Sequence, residues 1–142
     1  MKKYLIATHG KLAEGLKSSV RIIAGDYYAD QINTVTAFLD ASDFTQDIRK
    51  FVDELSDEDQ GIIFTDLYGG SVNQNATLIK MESNKNVRVL TGTNLGMLME
   101  VILNPQEEID TKTIEEALEA GRNELSECPK KEEKDIIDED FF

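Results

Sequence analysis

The sequence predicts an α/β fold: a mainly parallel, doubly wound sheet in the common strand order 2-1-3-4, with helices on both faces. Three observations point there. Short apolar runs alternate with helix-period segments four times along the chain. The runs are close to continuously apolar, as in strands buried on both faces, rather than alternating. Polar and small residues gather just after the runs, where open parallel sheets bind their ligands. Crossovers joining such strands are right-handed.

The first strand is expected over residues 3–8, running into His9-Gly10. Leu12, Leu16, Val20 and Ile23 then recur at spacings of four, four and three, predicting a helix that Gly25-Asp26 stops. The β-branched stretch 32–39 reads as the second strand. A helix over 41–55 follows, with Ser42 or Asp43 as its cap and Ile48, Phe51, Val52 and Leu55 on one face. Residues 60–66 form the third strand, broken by Leu67-Tyr68-Gly69-Gly70-Ser71. Ser71 is placed to cap a helix through about Met81 that buries Ala76 and Ile79. Residues 87–90 make the fourth strand, and Gly92-Thr93-Asn94 opens a helix over 95–103. The last helix spans 111–125, with Thr113 and Glu116 at capping-box spacing and Ile114, Ala117, Leu118 and Leu125 apolar.

The 142 residues fit one domain, assigned to 1–126, with neither an internal repeat nor a second domain. Residues 127–142 hold seven acidic residues against three lysines and read as a solvated, poorly ordered tail. Composition is that of a folded chain, 40% hydrophobic and 30% charged. The net charge of −13 repels nucleic-acid phosphates and anionic lipid, and better complements a protein partner with a basic face. Cys128 is the single cysteine and His9 the single histidine, so neither an internal disulfide nor a cysteine- or histidine-rich metal centre is expected. No apolar run approaches the roughly 20 residues of a membrane span, and the apolar start is too short for a signal peptide. The expectation is a soluble, unexported, cytoplasmic protein without metal or cofactor.

The predicted carboxyl edge of the sheet carries the candidate chemistry. His9 lies at a strand-to-helix corner, and neutral imidazole is a nucleophile. A phosphoryl group on its nitrogen is reactive enough to be passed on. Such use requires an oriented ring, balance for its growing positive charge, and donors for the phosphoryl oxygens. If strands one and three are neighbours, Asp66 meets the first two needs by accepting from one ring N–H. Helix starts after Gly10 and after Gly69-Gly70, with the Ser71 hydroxyl, meet the third. Bland roles exist for each residue alone: a surface histidine, a turn aspartate, a plain glycine turn. Their convergence on one edge favours the functional reading. Nucleotide loops of the GxxxxGK[ST] and GxGxxG types are absent, as are HExxH and GxSxG.

Three stretches carry a family resemblance: Ile6-Ala7-Thr8-His9-Gly10 with Ala13-Glu14-Gly15-Leu16; Phe64-Thr65-Asp66-Leu67-Tyr68-Gly69-Gly70-Ser71 with Asn73; and Thr91-Gly92-Thr93-Asn94-Leu95-Gly96-Met97-Leu98. Their order and spacing over about residues 1–125 resemble the mannose-type IIA component of the bacterial sugar phosphotransferase system. The resemblance implies phosphorylation of His9 on Nε2 with Nδ1 facing Asp66, and a phosphoryl-facing loop at Gly69, Gly70 and Ser71. It implies phospho-HPr as donor, a IIB component on a separate polypeptide as acceptor, and indirect contact with membrane permease components. It also implies a homodimer with an antiparallel strand exchanged between subunits. The chain departs from the family pattern at Val72 and Gly96, where proline is common, and at Tyr68, where tryptophan is common. Competing readings are a related phosphocarrier serving dihydroxyacetone kinase, a regulatory binding module, and a flavodoxin-like ligand binder.

Overall fold

The computed structural model describes residues 1–130. Its elements run β1 Lys2–His9, α1 Leu12–Ala24, α2 Asp26–Ala29, β2 Ile32–Ala37, α3 Phe44–Asp53, β3 Gln60–Thr65, α4 Ser71–Glu82, β4 Val87–Leu90, α5 Leu95–Ile102 and α6 Thr111–Asn123. Among the described residues the sheet has four strands in the order β2-β1-β3-β4, every pair parallel. This is the expected order. The antiparallel strand implied by the family resemblance is not among the described residues. Of the tail expected at 127–142, residues 131–142 lie outside them.

The sheet is buried on both faces, which explains its continuously apolar strands. Tyr4, Ile6, Ile62, Phe64 and Leu90 face a core shared with Ala13, Leu16 and Val20 of α1, Met97, Leu98 and Val101 of α5, and Ile114 and Ala117 of α6. Leu5, Ala7, Val35, Ile63 and Val87 face the other core, filled by Ile48 and Val52 of α3 and Val72, Ala76 and Ile79 of α4. All six residues of β3 are buried. Each fully buried aliphatic side chain there contributes roughly 1.5–3 kcal/mol of transfer free energy.

Several local expectations are corrected. The buried stripe of α1 is Ala13, Leu16 and Val20, whereas Leu12 and Ile23 are exposed. Two helix-period stripes overlap in this segment, and the small Ala13 permits the closer approach to the sheet. The short α2 was not expected; Arg21 ties its two ends through Asp26 at 2.6 Å and Asp30 at 2.9 Å. The second strand stops at Ala37, because Phe38 turns to a left-handed φ of 67°. Of the two expected caps of α3, Asp43 holds the position by accepting from the Thr45 N–H, as expected, while the Ser42 N–H and hydroxyl bond to Asp40. Helix α4 has Gly70, not Ser71, as its N-cap. Helix α6 is capped by Asp110, whose carboxylate accepts from the Thr113 N–H at 2.8 Å; it ends before Leu125, which is exposed.

Candidate functional site

His9 is the last residue of β1, and the register sets its surroundings. His9 lies opposite Ala37 on β2, while Ala7 lies opposite Thr65 at the end of β3. The residue after Thr65 is Asp66, which therefore emerges beside His9. The chain leaves β1 through Gly10, at φ 57°, a left-handed conformation that suits glycine. The Thr8 hydroxyl accepts from the Ala13 N–H at 2.8 Å and so fixes the start of α1.

Asp66 and His9 are joined twice. The Asp66 Oδ2 accepts from the His9 backbone N–H at 2.8 Å and pairs with the ring Nδ1 at 2.9 Å. The Asp66 Oδ1 accepts from the Leu67 N–H at 2.9 Å. Burial pushes the Asp66 carboxyl upward, but the hydrogen bonds from the His9 N–H, the His9 ring and the Leu67 N–H together outweigh it. They hold the group below the ordinary carboxylate range. An ionised carboxylate only accepts, so the proton in this pair sits on Nδ1. The lone pair is left on Nε2.

Nε2 points toward α4, with the Ser71 Oγ 3.5 Å away. This helix begins without a side-chain cap and carries no acidic residue in its first turn. Its first-turn N–H groups, on Ser71, Val72 and Asn73, lack intrahelical acceptors and are available to an anion. A Cβ on Gly70 would stand 3.2 Å from Leu67 and 3.5 Å from the His9 Cε1, so glycine allows the helix start to come this close.

Gly10, Gly69 and Gly70, expected as phosphoryl-binding residues, already spend their own N–H groups. Gly10 donates to the Ala37 carbonyl at 2.9 Å, Gly70 to the Leu67 carbonyl at 3.0 Å, and Gly69 to the Asn73 Oδ1 at 3.0 Å. Their contribution is the shape of the turns. Asn73 was noted in sequence only as part of a motif. It is buried, and its Nδ2 donates to the Thr65 Oγ1 at 3.1 Å, joining the loop to β3. The stretch after β4 braces the same corner: the Thr93 Oγ1 donates to the Thr65 carbonyl at 2.7 Å and the Gly92 N–H to the Asp66 carbonyl at 3.1 Å. Asn94 caps α5 and reaches the Gly121 carbonyl, a structural role away from His9.

Sequence reasoning missed Phe38. Its ring stacks on the imidazole of His9, with centroids 5.3 Å apart and planes 24° apart, and packs in turn on Phe44. For a residue with a Cβ, the left-handed backbone costs roughly 1–2 kcal/mol. No sequence signal marked it, because residue 38 falls inside the expected strand 32–39. Leu12, Phe38, Leu39, Leu67 and Tyr68, all exposed, follow the ends of β1, β2 and β3 and make this edge unusually apolar.

An open parallel sheet with a histidine–carboxylate pair and a bare helix start at its carboxyl edge defines an α/β protein suited to handling an anionic group. The profile of the EIIA-man family, the PTS system fructose IIA component, matches residues 3–120, and the chain belongs to that family. Its role lies in sugar phosphotransfer by the phosphoenolpyruvate-dependent phosphotransferase system (PTS). Similar structures include a protein from Klebsiella pneumoniae described as a phosphoenolpyruvate-dependent sugar PTS permease. It is 30% identical with a TM-score of 0.78, over 89% of this chain and 90% of that one. PTS component EIIA from Streptococcus agalactiae is 27% identical with a TM-score of 0.75, over 89% and 97%. The PTS IIA protein associated with the fucose utilization operon of Streptococcus pneumoniae is 28% identical with a TM-score of 0.72, over 89% and 92%. Among the described residues no helix is long and apolar enough to cross a membrane.

Proposed function

We propose that His9 is a reversible phosphoryl carrier, charged by phospho-HPr and discharged to a IIB component during uptake of a sugar of the mannose, fructose or sorbose class. One observation carries the reading: Asp66 holds Nδ1 at 2.9 Å while Nε2 faces the uncapped start of α4. The Nε2 lone pair forms the new N–P bond as the P–N bond to the donor histidine breaks, and that electron pair returns to the donor ring. The Nδ1 proton stays on the ring, where ionised Asp66 balances the positive charge that grows there. The Ser71, Val72 and Asn73 N–H groups, with the Ser71 hydroxyl, receive the phosphoryl oxygens. Transfer to the acceptor runs the same step backward.

The exposed apolar edge around His9 suits protein partners rather than a free metabolite. The acidic chain favours partners with a basic rim around an apolar centre. We assign the protein to the cytoplasm, as a homodimer acting beside the membrane permease. No metal or cofactor enters the step.

The test is intact mass after mixing the protein with phosphoenolpyruvate, enzyme I and HPr, beside a His9→Ala control. A gain of one acid-labile phosphoryl group, absent from the control, supports the reading. No gain in a folded wild-type protein, with HPr itself phosphorylated, sinks it and favours a regulatory binding module.

A further inference from the structure

We propose that Phe38 is a positioning residue for His9: its ring holds one face of the imidazole and keeps Nε2 aimed at the start of α4. The proposal rests on the carrier reading. Three observations lead to it. Phe38 is the one residue other than glycine with a positive φ among those described, at 67°. Its ring lies 24° from parallel to that of His9 and also packs on Phe44, at a centroid distance of 5.1 Å and a tilt of 58°. Backbone strain of this kind persists where the surroundings enforce it, and it concentrates at functional sites.

The geometry explains what the stack adds. The bond to Cβ holds Cγ and Asp66 holds Nδ1, and a ring held along that edge still rocks about the Cγ–Nδ1 line. The Ser71 Oγ at 3.5 Å is too distant to complete the restraint. On the Cε1 side stands Gly70, which has no side chain. His9 keeps 39% of its side chain exposed, so the surrounding packing does not immobilise it. Phe38 supplies a second restraint, on the ring face, and leaves the Nε2 edge open. A relaxed backbone at position 38 would carry the ring away. As the N–P bond forms and the imidazole becomes more positive, the same aromatic face lies within the roughly 6 Å at which a cation is attracted to it.

The test compares wild type, Phe38→Gly and Phe38→Tyr. Glycine adopts a φ of 67° freely, so Phe38→Gly removes the ring while keeping the backbone path; thermal unfolding checks that both variants are folded. For phosphorylation by phospho-HPr, Phe38→Gly should lower kcat about fivefold with KM within about twofold of wild type. Phe38→Tyr should restore kcat. In the unphosphorylated proteins, the His9 Nδ1–H proton resonance should be sharp in wild type and Phe38→Tyr and broadened in Phe38→Gly. A raised KM at unchanged kcat would make Phe38 a docking residue only and overturn the proposal, as would an unaltered Nδ1–H resonance. If wild-type protein takes no phosphoryl group, the carrier reading fails by itself, and the resonance alone decides whether Phe38 orients the ring.

Discussion

Asp66 Oδ2 takes two hydrogen bonds from one residue, His9: the backbone N–H at 2.8 Å and the ring Nδ1 at 2.9 Å. The double contact couples the end of β1 to the end of β3. It sets the ring's position and its tautomer with a single oxygen. An amide oxygen in the Oδ2 place would keep both bonds, but its NH2 would then face the Leu67 N–H that Oδ1 accepts, and it would bring no charge to the ring.

Asp66→Asn should therefore slow phosphorylation by about ten- to a hundredfold, the equivalent of one hydrogen bond to a charged group. Single-turnover transfer from phospho-HPr measures this. A rate equal to wild type would remove Asp66 from the mechanism.

The start of α4 yields an opposed pair of effects. Ser71→Asp places a carboxylate in the first turn, where it complements the helix dipole by roughly 0.3–1 kcal/mol. The same carboxylate occupies the free N–H groups and repels an incoming phosphoryl group. Stability by chemical denaturation should be no lower than wild type while phosphoryl acceptance is lost. Retained acceptance would show that the phosphoryl oxygens sit elsewhere.

Asn73 bridges the Gly69 N–H and the Thr65 hydroxyl from a buried position. Asn73→Ala removes one hydrogen bond from Gly69, which solvent reaches, and one from Thr65, whose hydroxyl still donates to the Leu90 carbonyl at 3.4 Å, so the loss of stability should be about 1 kcal/mol. Urea denaturation of the two proteins gives the number. A change below about 0.5 kcal/mol would mean the loop is held by other contacts.

On the acid side, the carboxyls of Asp43, Asp66 and Asp110 are all held below the ordinary aspartate value in the folded protein. Thr45 and Thr113 hydrogen bonds lower Asp43 and Asp110; at Asp66 burial opposes the shift and the His9 and Leu67 bonds prevail. A depressed folded value stabilises fully above the unfolded value near 3.8 and is lost as pH falls through the lower folded one. The melting temperature should fall as pH drops below about 4. The difference between wild type and Asp66→Asn should shrink over the same window. A difference that persists undiminished at the acid limit would show that the Asp66 charge is not its source.

Much of this was legible in the sequence, for identifiable reasons. Residues 87–90 were read as a strand and form β4 without a shift, because Val87, Val89 and Leu90 stand between clear breaks. His9 and Asp66 stood out because each follows an apolar run, and the parallel register then brings the two together. Caps were harder. Ser71 and Thr113 are good capping residues, yet Gly70 and Asp110 hold those positions, since a shift of one residue at α4 or three at α6 barely alters the helical pattern. Which stripe of α1 faces the sheet depended on Ala13, whose small size matters only against a neighbouring surface. The left-handed turn at Phe38 left no composition signal, because β-branched and aromatic residues up to Leu39 all favour a strand.

In the proposed carrier, Asp66 reserves Nδ1, so that Nε2 of His9 takes the phosphoryl group. Nitrogen-15 and phosphorus-31 NMR of the phosphorylated, histidine-labelled protein tests it most directly. The account predicts a single phosphohistidine with the N–P coupling on Nε2 and a retained Nδ1–H. Coupling on Nδ1, or phosphate on any residue other than His9, would contradict it.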